Sequence, residues 1–204
     1  MKLRECAEVT QGVFTNRIET SNLNEDSVQL QLVTLREFNH LLGTDYRISQ
    51  EKDRSIYVKK EKIKHEVLTD TESLVLHTLT QKVVWFPPEY QDLLLTNNFM
   101  KISFSKEVDV HFMEWLFNEH PSIQKQIALF TEGSIISSLK LSNVKEIELV
   151  LPNIEKQRKI GIIARLKKKK SALLKEKDML EQVFLHHQMV EIIEQLGGHI
   201  NDNK

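Results

Sequence analysis

The feature that most constrains this chain is the stretch after Pro152, which has no further proline and no glycine between Gly161 and Gly197. Its apolar residues recur in steps of three and four, the spacing of a helix with one apolar stripe. Pro152 or Asn153 can begin this helix, and Gly197 with Gly198 can end it. About 44 residues at 1.5 Å per residue give a helix of roughly 65 Å. A domain of about 150 residues is too small to cover so long a stripe, so we expect the helix to pair with a second copy.

Three polar residues interrupt the predicted pairing stripe. Lys170, Lys177 and His187 share its spacing, so we expect a coiled coil that is short, irregular or shared with another protein. The residues predicted to mediate dimerisation are Ile163, Leu166, Leu173, Leu180 and Phe184.

Composition is that of a globular protein: of 204 residues, 40% are hydrophobic and 28% are charged. The sequence holds no apolar run near the ~20 residues that cross a bilayer, and MKLRECAEVTQG lacks the apolar stretch of a signal peptide. These observations predict a cytoplasmic protein with no membrane partner. Residues 1–153 carry 17 basic and 22 acidic side chains, whereas residues 154–204 carry 11 and 7. Any nucleic-acid-binding surface must therefore be a local patch.

The pattern before Pro152 is mixed, without regular strand–helix alternation, and favours an α+β fold. We expect a short helix at residues 3–9, helices at residues 110–118 and 122–130, and a strand at residues 98–104 that alternates cleanly. Residues 56–63, 73–79, 83–86 and 140–151 have strand character, and the last run ends at Pro152. The predicted organisation is a globular domain over residues 1–151, a long helix over residues 152–197 and a disordered tail over residues 198–204.

Catalytic motifs are scarce. The sequence has no P-loop, dinucleotide-binding glycine pattern, G-x-S-x-G or H-E-x-x-H, and no D…E-x-K arrangement follows a strand signal. Cys6 is the only cysteine, which excludes an internal disulfide; a small buried side chain is favoured over a nucleophile. His186 and His187 point about 100° apart on a helix and are poorly placed to share a metal. We predict no catalytic residues, no metal and no cofactor.

Two segments carry side chains suited to nucleic acid. Residues 11–17 (QGVFTNR) place a flexible turn beside amide and guanidinium groups, and such groups hydrogen-bond adenine and guanine, respectively. Four lysines cluster at residues 59–64, interrupted by Glu61 and followed by Glu66; a solvated strand face explains them as well as phosphate contact does. Residues 167–170 are all lysine. On a helix they spread around its circumference, and we favour the interpretation that they are exposed to solvent.

The order of short motifs resembles that of type I restriction–modification specificity subunits. The matching segments are LRECAEVTQG near the start, NFMKI at residues 98–102, FMEWL at residues 112–116, Gly133-Ser134 to Leu139, and LPNIEKQRKI at residues 151–160.

The resemblance implies a target-recognition domain with a curved mixed sheet and helices, followed by a spacer helix. It implies a non-catalytic DNA-reading subunit that associates with DNA adenine methyltransferase subunits and with a translocating restriction subunit. Members of this family usually hold two recognition domains and two antiparallel spacer helices, whereas this chain has one of each. Two copies would rebuild the full arrangement and read inverted repeats in double-stranded DNA, with half-sites up to about 19 base pairs apart at ~3.4 Å per base pair.

Within this arrangement, loop residues read base edges and basic residues contact phosphates. The predicted DNA contacts are Thr15, Asn16, Arg17, Lys59, Lys60 and Lys82. Two alternatives stay open: a coiled-coil adaptor or inactive truncated subunit that reads no DNA, and a stand-alone nuclease.

Overall fold

The computed structural model describes residues 1–20, 26–44, 54–132 and 138–198. The chain divides into two compact units, Met1–Ala164 and Arg165–Lys204, and each is described by itself. The turn predicted at Gly133 and Ser134 and residues 199–204 of the predicted tail lie outside the described residues.

Six strands and six α-helices make up the described structure. The strands are β1 (Ala7–Gln11), β2 (Ser27–Gln31), β3 (Ser55–Lys59), β4 (Ser73–His77), β5 (Lys82–Trp85) and β6 (Phe99–Phe104). The helices are α1 (Thr15–Ile18), α2 (Leu35–Leu42), α3 (Val110–Glu119), α4 (Pro121–Thr131), α5 (Leu141–Lys145) and α6 (Ile154–Gly198). Short 3-10 helices occupy Leu3–Glu5, Lys60–Lys62, His65–Val67 and Pro88–Tyr90.

The main sheet has four strands in the order β1-β6-β4-β5, and every ladder in it is antiparallel. Strand β6 is hydrogen-bonded on both edges, so Ile102 lies opposite Val9 on one side and Leu74 on the other. A separate antiparallel pair joins β2 and β3. Parallel pairing among the described residues is limited to two isolated bridges, one of them between Val13 and Thr96.

Both faces of the sheet are covered. All five residues of β4 are buried; Leu74 and Leu76 face one cluster, and Val75 faces the other, as the two-residue period of a strand requires. The first cluster is completed by residues of α3, α4 and α5, and the second by Phe38 of α2. A third cluster lies beneath the β2–β3 pair.

The predicted α+β class is confirmed, and residues 98–104 form β6 as expected. Two element predictions were wrong. Residues 3–9 are a 3-10 turn followed by β1, because residues 7–11 pair with β6 and this pairing outweighs helix propensity. Residues 140–151 begin with α5, and the rest makes a single bridge between Glu148 and Lys2. None of the described helices is long and apolar enough to cross a membrane.

The long helix α6 is capped and fixed at its start. The Asn153 side chain accepts a hydrogen bond from the Lys156 backbone N–H at 3.0 Å, as an N-cap residue does. Gln157 is buried, with 4% of its surface exposed; its Nε2 donates to the Pro152 carbonyl at 2.8 Å and its Oε1 accepts from the Asp109 backbone N–H at 3.2 Å. The first turn of α6 is therefore tied to the N-terminus of α3.

Gly161 allows this close approach. Asp109 caps α3 by accepting from the Phe112 backbone N–H at 2.7 Å, and a Cβ atom on Gly161 would overlap the Asp109 carboxyl and lie 3.0 Å from the Phe112 nitrogen. A larger residue at position 161 must displace the cap or the helix.

Gly161→Ala should lower the free energy of unfolding by about 1–3 kcal/mol, because overpacking forces the Asp109 cap aside. Asp109→Ala alone should cost about 1 kcal/mol through loss of the cap. In the double variant the cost should be smaller than the sum, since the displaced group is already gone. Urea unfolding followed by circular dichroism measures all three, and strictly additive costs would reject the proposed clash.

Candidate nucleic-acid interface

A short loop and helix, residues 12–18, carry an exposed arginine above an aromatic ring. The Arg17 guanidinium carbon lies 4.7 Å from the centroid of the Phe14 ring. Phe14 itself is 48% exposed, so this cation–π contact is at the surface. Such a contact restricts the conformations of an otherwise mobile arginine.

Gly12 fixes where this loop leaves β1. Its N–H donates to the Phe99 carbonyl at 2.9 Å, and a Cβ atom there would lie 2.6 Å from the Leu95 carbonyl oxygen and would also overlap the Thr96 backbone. The Val13 N–H donates to that Leu95 carbonyl at 2.9 Å. Only glycine fits so close to another backbone segment.

The end of strand β3 lies beside α1. Glu19 forms an isolated bridge with Val58, and the Thr20 N–H donates to the Tyr57 carbonyl at 2.9 Å. The next residues are Lys59 and Lys60, both exposed. The structure therefore brings together five of the six predicted DNA-contact residues on two adjacent elements, although sequence separates them by about 40 positions. Their contact with DNA stays a prediction.

The charge of this surface is mixed. Lys62 and Lys64 continue the basic segment and are exposed, whereas Glu61 and Glu66 are exposed between and after them. Lys60 is also linked to its surroundings through its backbone N–H, which donates to the Asp26 carbonyl at 2.9 Å. The positive potential is therefore local, as the composition indicated.

An ion pair between a buried lysine and a partly exposed aspartate holds the loop that follows the basic segment. The Lys101 ammonium on β6 lies 2.7 Å from Asp70 Oδ2 and donates to the carbonyls of Leu68 at 2.7 Å and His65 at 3.2 Å. Burial raises the pKa of Asp70, but hydrogen bonds from Lys101 and Ser73, the charge of Lys101 and the Glu72 N–H outweigh it. The pKa of Asp70 is therefore below its usual value.

An amide-bearing turn lies next to this surface and was missed as a contact candidate in the sequence. Gln11 Nε2 donates to the carbonyl of Asn97, which is half-buried and precedes the exposed Asn98. The sequence signal was present as Thr96-Asn97-Asn98 between two apolar runs, but Asn98 was read as the start of a strand. Nothing in the periodicity indicated that this turn would lie beside Gly12.

Lys82 lies elsewhere, on β5. Its ammonium donates to the Asn118 carbonyl at 3.1 Å and contacts Gln124 Oε1 at 3.4 Å. The side chain is half-buried, and these contacts link β5 to α3 and α4. Its predicted role in DNA contact is not tested by this placement, but any DNA contact would compete with them.

Cys6 has the features of a structural thiol. It is fully buried, and its Sγ donates to the Leu3 carbonyl at 3.4 Å. Burial, more than nearby charges, raises the pKa of this thiol, which disfavours the thiolate that a nucleophile needs. Across the described part of the chain, no three His, Cys, Asp or Glu side chains are grouped so as to hold a metal ion.

The second compact unit consists of α6 from Arg165 onward. Its apolar side chains are exposed in the single chain; Leu173 is 54% exposed and Leu180 is 58% exposed. All five residues predicted to mediate dimerisation are exposed: Ile163, Leu166, Leu173, Leu180 and Phe184. An exposed apolar stripe of this kind is typical of a helix that packs against a partner.

No protein-family model and no curated protein matches the chain. Among solved structures, it aligns with a chain from a structure of the type I restriction–modification system, which was described for its complex assembly and conformational transition. That alignment has a TM-score of 0.52 and 14% identity, and covers 93% of this chain and 45% of the other. The crystal structure of a type I restriction–modification S subunit from M. genitalium aligns at a TM-score of 0.48 with 12% identity, over 80% of this chain and 37% of the other.

This chain thus spans less than half the length of either of these two chains. The chain therefore shares its fold with a chain of the type I restriction–modification system, the system to which the order of the sequence motifs pointed.

Asp70→Asn should destabilise the protein more than Lys101→Met does. The Lys101 side chain is 6% exposed and the Asp70 side chain 42%, so Asp70→Asn leaves a buried ammonium without a counter-charge, whereas Lys101→Met leaves a carboxylate that water can solvate. We expect a loss of about 2–4 kcal/mol for Asp70→Asn and about 1 kcal/mol for Lys101→Met, measured by urea unfolding at pH 7.

The pH dependence provides an internal control. A carboxyl whose pKa is lowered on folding stabilises the protein above its unfolded pKa of about 4 and loses this effect as pH falls through the folded pKa. The difference between the wild type and Asp70→Asn should therefore shrink in acid. An equal or greater loss in Lys101→Met would contradict the assignment.

Proposed function

We propose that this chain is a sequence-reading, non-catalytic DNA-recognition subunit of a type I restriction–modification complex. In this proposal two copies pair through α6, read a bipartite inverted-repeat site and position adenine methyltransferase subunits on it. The observation that carries the proposal is the surface formed by α1 and the end of β3, on a domain that shares its fold with a chain of that system. The neighbouring structures supply the fold alone; the following contacts support the function.

The α1 surface has the two kinds of group that DNA reading needs. Arg17 can donate two parallel hydrogen bonds to guanine in the major groove, and Asn16 or Asn98 can bond adenine in the same way. Lys59 and Lys60 suit the phosphates that fix the register of a protein on the duplex. Arg17 is held over Phe14, so it loses less side-chain entropy on binding than a freely rotating arginine.

The mixed charge of the domain bears on selectivity. A uniformly basic surface binds any duplex, because phosphate contacts carry no sequence information. Here exposed acidic residues such as Glu61 lie among the lysines. They weaken the electrostatic attraction to every duplex alike, so base contacts supply a larger share of the affinity. This supports a DNA-recognition subunit whose affinity depends on base contacts and on the pairing of two chains through α6.

Pairing through α6 gives the reader two-fold symmetry. Two identical domains related by a two-fold axis read identical sequences in opposite directions, so the site is an inverted repeat. Doubling the number of reading domains also raises affinity through effective concentration, provided that the spacing lets both engage. The methyltransferase subunits would then act on adenines that this pair of domains brings into register.

The acidic side chains also favour a second candidate, a coiled-coil adaptor that binds no DNA. The two functions differ at low ionic strength, where electrostatic attraction to DNA is strongest. Retention of a selected duplex at low salt supports the DNA-recognition subunit. If no duplex is retained at low salt even when the methyltransferase is present, the adaptor is supported.

Arg17→Ala should relax recognition at one base position of each half-site, with a loss of about 1–3 kcal/mol there. Lys59→Ala should instead weaken binding to all sequences alike and reduce the slope of log affinity against log salt by about 1. Sites are first selected from random duplexes with the wild-type chain and methyltransferase subunit, and variants are then measured by fluorescence anisotropy.

Lys125→Ala is the matched control, since Lys125 is an exposed lysine on α4, outside the proposed surface, and should leave affinity unchanged. If selection with the wild-type assembly yields no preferred sequence, the reading function is rejected. If Lys125→Ala weakens binding as much as Lys59→Ala, the proposed surface is wrong.

Leu173→Glu with Leu180→Glu should convert the dimer to a monomer, because two carboxylates per chain would have to be buried in the paired stripe. Sedimentation velocity gives the mass directly. The matched control is Ala172→Glu with Met179→Glu, which adds the same charges one residue earlier, about 100° around the helix. Ala172 and Met179 are also exposed, and their variant should stay dimeric.

A wild-type chain that sediments as a monomer would reject self-pairing. Loss of the dimer in both double variants would show that added charge, rather than its position on the stripe, is responsible.

A further inference from the structure

The turn between β4 and β5, residues 78–81, lies at the same edge of the main sheet as the Gly12 loop. Met100 of β6 is opposite Gln11 of β1 on one side and opposite Leu76 of β4 on the other, so β1 and β4 run in the same direction and end at one edge. Two strand spacings separate them. The turn therefore begins about 10 Å from the point where the Gly12 loop leaves β1.

Backbone contacts fix the first residue of this turn. The Thr78 N–H donates to the Asn98 carbonyl at 2.9 Å, and the Thr78 carbonyl accepts from the Leu139 N–H at 3.0 Å. Asn98 belongs to the amide-bearing turn that lies beside Gly12. Lys140, which follows Leu139, is exposed. The β4–β5 turn is thus joined to the candidate interface, with one further lysine near it.

A buried histidine supports the rest of the turn. His77 is 3% exposed, and its ring centroid lies 5.0 Å from that of Phe99 and 5.6 Å from that of Phe38. The Thr80 N–H donates to His77 Nδ1 at 3.3 Å, and the Thr80 hydroxyl lies 3.0 Å from the same nitrogen. The His77 carbonyl accepts from the Gln81 N–H at 2.9 Å. Burial lowers the pKa of His77, which favours the neutral imidazole that this acceptor role requires.

Leu79 is the apolar side chain at the tip of this fixed turn, and it is 49% exposed. Residues 77–82 include one lysine and no acidic residue, so the turn does not repel the phosphates of a duplex. A single exposed leucine is common on protein surfaces. What points to a ligand is its position beside two segments that carry base-reading groups. Because the turn is already ordered, a contact made by Leu79 does not have to overcome the entropy of fixing the backbone.

We propose that Leu79 contacts the 5-methyl group of a thymine in the major groove, as a further specificity-determining residue, and that His77 positions it. The inference rests on the proposed function and adds the chemical group that this turn reads. In the major groove the methyl group is the apolar feature of a T·A base pair, and apolar side chains recognise it. Arg17 and Asn16 supply hydrogen bonds, which do not detect a methyl group. Leu79 supplies this other kind of contact.

The spacing of the two segments predicts where the thymine lies. The distance of about 10 Å between the starts of the β4–β5 turn and the Gly12 loop corresponds to roughly three base-pair steps of ~3.4 Å. We therefore expect the thymine within about five base pairs, half a turn of the duplex, of the position that depends on Arg17. Both contacts then fall in one half-site and in one stretch of the major groove.

Removal of single methyl groups from the DNA tests the contact. Each thymine of the site selected with the wild-type chain and methyltransferase subunit is replaced in turn by deoxyuridine, which lacks only the methyl group. At one position of each half-site the affinity measured by fluorescence anisotropy should fall about fourfold, the effect of one buried methyl group. Leu79→Ala should bind both duplexes equally there. Leu79→Met, which keeps an apolar side chain, should retain most of the difference.

Leu129→Ala is the matched control, because Leu129 is a 59% exposed leucine on α4, outside the proposed surface. This variant should keep the full loss at the methyl-sensitive position. The inference is overturned if Leu79→Ala still loses affinity on removal of that methyl group, or if no thymine in the selected site is methyl-sensitive. These outcomes differ from failure of the proposed function, in which the wild-type assembly selects no preferred sequence at all.

His77→Phe tests the positioning role separately. Phenylalanine can still pack against Phe38 and Phe99, but it cannot accept a hydrogen bond from Thr80. This variant should lose the difference between thymine and deoxyuridine, whereas the slope of log affinity against log salt, which reports phosphate contacts, should stay unchanged. A retained methyl effect, or a salt slope that falls together with it, would reject the positioning role.

Discussion

Strand β6 is the element on which the rest of the domain depends, because it is hydrogen-bonded on both edges and packed on both faces. Its first residue, Phe99, accepts the Gly12 N–H that fixes the exit from β1. Its third residue, Lys101, holds the loop after the basic segment by one ion pair and two carbonyl contacts. The two segments that bear the candidate DNA contacts are thus both secured to one buried strand. Loops secured in this way can be exposed at their tips without losing their position.

Secondary structure was predicted correctly from the sequence where the local periodicity of apolar residues decides it. β6 alternates apolar and polar residues, and α6 shows helical spacing without proline, so both were found from sequence. The start of the chain was misread because residues 7–11 have no strong preference, and their pairing with a strand about 90 positions later decides their state. The strand prediction for residues 140–151 failed for a related reason, since no second strand pairs with these residues beyond the single bridge at Glu148.

The candidate interface could likewise be predicted only in part from the sequence. Arg17 and Lys59 could be selected from residue type, because their chemistry suits bases and phosphates. Their proximity could not be read from sequence, because it depends on a single bridge between Glu19 and Val58. Lys82 has the same residue type as Lys59, but its carbonyl and amide partners lie on α3 and α4. Only the fold distinguishes a lysine that faces water from one that links a strand to helices.

The contact between Arg17 and Phe14 has a consequence for how such a surface would meet a duplex. The Phe14 ring shields the side of the guanidinium that it contacts, so the opposite side and the edge that carries the N–H groups are left for a partner. The N–H groups on that edge can donate two parallel hydrogen bonds to the edge of a base pair. The ring thus limits which way the arginine can bind before any ligand arrives.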